Sequence, residues 1–256
     1  MSTPKPSILV WDLPVRLFHS LLALSFAGAW LTAESEPWRL LHVTMGYTLA
    51  GLLAFRLLWG VLGTRHARFS DFVRGPRAVQ RYLGALLHGR PEHHVGHNPA
   101  GALAIIALLG LGAASAGTGW AVYNDLGSQW LSRDMLGEVH EATASLMLAV
   151  VGVHILGVLI ASRLHHENLA ASMLTGRKSG PPDQAIRSAW RSVAALMLVA
   201  VLGFWWLQWT GAPSAGAATG PGASSWVGTN AELPDSAKLA GAGRQARRGH
   251  DDNGDD

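Results

Sequence analysis

Cysteine is absent from this chain of 256 residues. That excludes disulfides, thiolate metal sites, iron–sulfur clusters and covalent c-type haem attachment. Charge is scarce as well. Asp, Glu, Lys and Arg make up 14% of the residues, against about 25% in an ordinary soluble domain. Apolar residues make up 49%, and they gather into long runs almost free of charge. The composition is that of a polytopic membrane protein. The balance is basic, with a formal net charge of +3, but nucleic acid is not the expected partner. The basic residues concentrate in particular loops, as membrane topology requires. A cleavable signal peptide is not expected either. The first apolar run follows a polar start containing Asp12 and Arg16, and no cleavage site comes after it.

Five segments have the roughly 20 apolar residues that a spanning helix needs. They run about Leu17 to Ala33, Leu40 to Leu62, Pro99 to Tyr123, Val139 to Ser162 and Val193 to Trp209. Trp30, Trp38, Trp59, Trp120, Trp130, Trp190 and Trp209 fall near the segment ends, where an aromatic belt sits. The loop after the second segment carries Arg65, Arg68, Arg74, Arg77, Arg81 and Arg90. The stretch after the fourth carries Arg163, Arg177, Lys178, Arg187 and Arg191. The opposite loops hold only Arg39 and Arg133, beside Glu34, Glu36, Asp125 and Asp134. The positive-inside rule then places the N-terminus in the cytoplasm and the C-terminus outside. Residues 1–178 are expected to form the core, 179–210 a connector and fifth helix, and 211–256 a disordered exterior tail rich in Gly, Ala, Ser and Pro.

The most informative residues are His140 and His154, fourteen positions apart on one apolar segment. On a helix they share a face and lie about 21 Å apart, a large part of the ~30 Å hydrocarbon thickness. His19 and His42 lie near the starts of the first two segments. With the orientation above, His42 and His140 lie near the exterior face, and His19 and His154 near the cytoplasmic face. Two imidazole pairs at two depths are what two stacked b haems with bis-histidine ligation require, and no covalent link is needed. Gly46 and Gly157 would leave room for a flat macrocycle, or would permit close helix packing. Arg56 shares the His42 face at the cytoplasmic end, where a charge needs a partner such as a haem propionate, unless it snorkels to the interface. Arg16, one turn before His19, is a second propionate partner or an orientation signal. His93, His94 and His97 form an HHxxH string, which reads as part of a polar loop rather than as a metal site.

At these residues the chain resembles a known family, the bacterial di-haem cytochromes b that include cytochrome b561 and the b-type subunit of Ni/Fe-hydrogenases. The resemblance rests on WDLPVRLFHSLLA around His19, LHVTMGY around His42, RLLWGVLGTRHARFSDF, GHNPAGAL, and the long stretch from GEVHEATASL to MLTGRK that holds His140 and His154. It covers about residues 8 to 178. It implies an all-α, four-helix transmembrane bundle around two b haems, with His19, His42, His140 and His154 as iron ligands. The fifth C-terminal transmembrane helix resembles that of the longer, hydrogenase-type members. The implied function is electron transfer between the membrane quinone pool and a redox partner, a periplasmic c-type cytochrome or a hydrogenase. The chain has no CxxCH, so no fused cytochrome c is expected. Two other functions fit the residues less well. One is a stand-alone quinone-linked oxidoreductase of a small external substrate such as superoxide, which the mildly acidic exterior loops disfavour. The other is a haem-free transporter using histidines as a proton relay, which would usually show inverted repeats.

Overall fold

The computed structural model describes residues 6–88, 94–126 and 132–212. The expected tail from residue 213 onward, His93 and Trp130 lie outside the described residues. In chain order the elements are strand β1 (Ser7–Leu9), helices α1 (Leu13–Leu31), α2 (Arg39–Leu62), α3 (Phe69–Phe72), α4 (Pro76–Leu87), α5 (Pro99–Tyr123), α6 (Arg133–Leu164) and α7 (Leu169–Thr175), strand β2 (Arg177–Ser179) and helix α8 (Arg191–Thr210). Helices α1, α2, α5, α6 and α8 are long and apolar enough to cross a membrane. Consecutive spans pack as neighbours: α1 on α2, α2 on α5, and α5 on α6. Helix α8 leans on α1 and α2, and Trp205 Nε1 donates to Thr48 Oγ1 across that seam at 2.9 Å.

Helix ends follow local chemistry. The Asn98 side chain accepts from Gly101 N at 2.7 Å and Pro99 takes the first helical position, so α5 has the expected bounds. Helix α1 begins at Leu13, earlier than the apolar run suggests, because Asp12 caps it and Pro14 fits its first turn. Helix α6 is 32 residues long, starting at a Ser132 cap with Asp134 in its first turn and Arg163 in its last. Many large apolar side chains of the spans point outward, among them Leu58, Val61, Val153, Leu156, Val199 and Leu207. Bilayer hydrocarbon covers such a surface while the helices satisfy their own backbone groups.

One end of the bundle carries structure that apolar periodicity does not predict. β1 and β2 form a two-stranded antiparallel sheet, pairing Ser7 with Ser179, Ile8 with Lys178 and Leu9 with Arg177. Gly176 joins α7 to β2 at φ +80°, and its carbonyl accepts from Val10 N and Trp11 N at 2.8 and 3.1 Å. A Cβ at this position would come within 2.8 Å of the Trp11 carbonyl, so both conformation and space demand glycine. Arg16 Nε donates to Met173 O at 3.4 Å, and its Nη2 donates to Leu174 O. The basic residues of this end thus fasten loops as well as carrying charge: Arg177 reaches Ser7, and Arg65 reaches the Asp183 carbonyl.

The Trp59 indole departs from the belt expected of it. It is buried, stacked on Phe55, and donates through Nε1 to Asp12 Oδ2 at 3.1 Å. Asp12 is fully buried; it also accepts from Val15 N at 2.8 Å and from Thr64 Oγ1 at 2.6 Å. One carboxylate therefore caps α1 and ties it to the C-terminal end of α2. Asp12→Ala should lose about 1 kcal/mol of capping and about 1–3 kcal/mol more for each stranded donor. Trp59→Phe should cost about 1 kcal/mol, the net worth of one hydrogen bond. Thermal unfolding in detergent ranks the two; equal midpoints would refute the knot as a support of the bundle.

Candidate functional site

Two groups of histidines lie at opposite ends of the bundle. At the end away from the sheet, His42 lies in the first turn of α2 and His140 in the second turn of α6. Their ring centroids are 6.1 Å apart with an interplanar angle of 81°. Each ring is held from behind by a backbone carbonyl of a neighbouring helix. His42 Nδ1 donates to Ala29 O of α1 at 2.8 Å, and His140 Nδ1 donates to Ser115 O of α5 at 2.9 Å, the tautomer each acceptor requires. A hydrogen bond of that kind fixes tautomer and ring orientation and makes the other nitrogen a better metal ligand. Neither Nε2 has a hydrogen-bond partner among the described residues. The spacing leaves room for one metal atom with a bond of about 2 Å to each ring. Gly119 completes this wall, since a Cβ there would come within 2.8 Å of His140 Cε1. The donor set fits a haem iron held by two neutral imidazoles.

At the sheet end, His19 lies two turns into α1, roughly 9 Å from its start. His154 lies well before the end of α6. The two rings come within electrostatic range of each other, and neither makes a hydrogen bond to a described residue. Gly46 and Gly157, near His42 and His154, have no atom within 4 Å of a built Cβ. They leave open space rather than forming close helix contacts.

Arg56, on α2, is 3% exposed. Its guanidinium lies over Phe69 at 4.8 Å and Phe72 at 5.8 Å, and Nη1 has no hydrogen-bond partner. The snorkelling expected as an alternative does not occur. Gly60 creates this arrangement: a Cβ there would meet the Phe69 ring at 2.0 Å. The Asp12 carboxylate lies within electrostatic range of this buried cation, but Nη1 still lacks an acceptor, which an anionic oxygen would supply.

Sequence reasoning missed His97. Its ring lies against Trp11 and Phe72, with centroids 4.6 Å away in each case. Burial, reinforced by the nearby Arg56 charge, pushes its pKa down to about 3, so the ring is neutral. Among the described residues no three potential metal-binding side chains come together; His93 of the HHxxH string lies outside them. The His97 neighbour His66 meets Gln184 O at 2.8 Å and also has a lowered pKa, through burial. Burial likewise pushes the Lys178 ammonium down, opposed by Glu167 with an oxygen 3.8 Å away.

Comparison with known proteins places the sequence in a family. The sequence profile described as "Prokaryotic cytochrome b561" matches residues 10–176. Among curated proteins, a probable Ni/Fe-hydrogenase B-type cytochrome subunit of Rhizobium leguminosarum bv. viciae is 24% identical over 216 residues, covering 68% of this chain and 90% of that protein. The protein of the same name from Azotobacter vinelandii is 31% identical over 156 residues, 50% of this chain and 62% of its own length. That from Azotobacter chroococcum mcd 1 is 32% identical over 145 residues, 46% and 60% respectively. No solved structure matches.

The His97 environment has a consequence for stability. Its folded pKa of about 3 lies below the ordinary 6.5, so the unfolded chain binds the extra proton between those values. Its contribution is constant above about pH 6.5 and destabilises progressively as pH falls toward 3, by up to about 1.4 kcal/mol per pH unit. His97→Phe should therefore flatten the fall in unfolding midpoint between pH 7.5 and 5. Parallel curves for the two proteins would contradict a buried neutral imidazole.

Proposed function

This chain belongs to the prokaryotic cytochrome b561 family, a membrane cytochrome b with b-type haem that works in electron transfer, and from that premise we propose that it carries electrons across the membrane through two such haems. One is held between His42 and His140, the other between His19 and His154. The observation that carries this reading is the facing His42–His140 pair, with each Nδ1 tied to a carbonyl and each Nε2 left over. The haem iron supplies reversible one-electron chemistry when bound; the protein sets axial ligands, charge and dielectric around it.

The remaining residues take supporting roles. Ala29 and Ser115 fix the imidazole tautomers through their carbonyls. Arg56 neutralises a propionate of the haem at the sheet end, which satisfies its free Nη1. Arg16 stands as a second propionate partner, sharing its guanidinium with the carbonyls at the end of α7. The many Lys and Arg residues of the sheet end favour the cytoplasmic side of an inner membrane for that face. One haem exchanges electrons with quinone in the membrane. The other serves a redox partner, a hydrogenase or a periplasmic c-type cytochrome; the names of the relatives favour the hydrogenase.

The test is a dithionite-reduced minus oxidised spectrum of the purified full chain, with a pyridine haemochrome count. The expected result is a b-type α-band and two haems per chain. His42→Ala and His140→Ala should each remove the same haem. His19→Ala and His154→Ala should each remove the other. A single haem in the unsubstituted protein, or loss of one and the same haem from His42→Ala and His154→Ala, would overturn the assignment.

A further inference from the structure

Three buried nitrogens at the sheet end have no hydrogen-bond partner: Trp11 Nε1, Arg56 Nη1 and His97 Nδ1. They come from three distant parts of the sequence, the connection from β1 to α1, the second half of α2, and the loop that enters α5. Aromatic rings bring them together. Trp11 and Phe72 flank His97, and Arg56 rests on Phe72 and on Phe69. An indole N–H and a guanidinium are donors only, and a neutral imidazole donates through one nitrogen. A buried donor without an acceptor gives up its hydration with nothing in return, and a charged one loses most. Three such groups in one aromatic shell describe a site built for an oxygen acceptor that carries negative charge. The Arg56 charge reaches the neutral His97 ring, which also lies within electrostatic range of His154.

We propose that Trp11, Arg56 and His97 form one carboxylate-binding cup that receives a propionate of the haem held by His19 and His154. This rests on the di-haem reading above and extends it to two residues beyond the arginine. The neutral donors share the propionate with Arg56, so its charge is held in place by hydrogen bonds as well as by the cation. Hydrogen bonding and charge near the macrocycle set the haem potential. Withdrawing a donor leaves the propionate more negative and favours the oxidised iron.

The experiment uses the full chain with its haems. His97→Phe keeps a ring between Trp11 and Phe72 and removes the donor; His97→Asn restores a donor; Trp11→Phe removes the indole N–H and keeps a ring. Redox titration of the α-band resolves the midpoints, and redox-difference infrared spectra with haem labelled by 13C at the propionates report the carboxylate directly. Both phenylalanine variants should retain two haems, lower only the midpoint that His154→Ala abolishes, and shift the labelled carboxylate band. His97→Asn should return most of that midpoint shift. An unchanged midpoint and band in both phenylalanine variants overturns the cup, as does an equal shift of both haems. A shift that appears only when a quinone is added overturns it too, because the acceptor is then a quinone carbonyl. If the unsubstituted protein binds no haem, the underlying reading fails instead, and the two failures are distinguishable.

Discussion

The bundle depends on a carboxylate that never meets water. Asp12 is buried between the start of α1 and the end of α2, and it accepts from a backbone amide, an indole and a hydroxyl. A lone buried carboxylate is costly, and hydrogen bonds to its charged form are what make it tolerable. Once they form, the angle between the first two spans at this end is fixed. Trp59 is drawn inward, where it stacks on Phe55 and meets Trp190 at the entry to α8. The same region receives the β1–β2 sheet, and Val10 and Trp11, which follow β1, pack with Trp59 in one apolar cluster. Hydrocarbon gives little hydrophobic force between helices, so polar knots of this sort set how the spans assemble.

The opposite end is organised by a different device. There the neighbouring helices present carbonyls that hold His42 and His140 from behind, and Gly119 of α5 leaves room for the His140 ring. In the proposed function these two ends treat their haems differently. One offers ligands already oriented by the backbone, the other a polar shell suited to an anion.

Much of this was legible in the sequence. Long apolar runs set the five spans, and α5 was legible to the residue because Asn98 and Pro99 form an explicit start signal. The four histidines stood out because imidazole is rare in hydrocarbon. What escaped was non-local. The strands are three residues each and pair across 170 positions of sequence, too short for any alternation to register. Trp59 looked like a belt residue because its partner, Asp12, lies on another helix. His97 looked like part of a polar loop, while its burial depends on Trp11 and Phe72, both outside that loop. The acceptors behind His42 and His140 are backbone oxygens, which leave no residue-type signature. The run GLGAASAGTG on α5 is the nearest signal, since it contains both Ser115 and Gly119.

His140 and His154 belong to one uninterrupted helix, α6. Their separation is therefore a length of covalent backbone rather than an outcome of how helices happen to settle. Loops can breathe and neighbouring spans can tilt, yet this interval of about 21 Å stays put. Helix α6 acts as a measuring rod between the two levels of the membrane. In the proposed function electrons tunnel between those levels at a rate that falls steeply with distance, so a rod of fixed length would make the speed of passage an inherited quantity. Inserting a single residue between the two histidines would turn one of them by about 100° relative to the other.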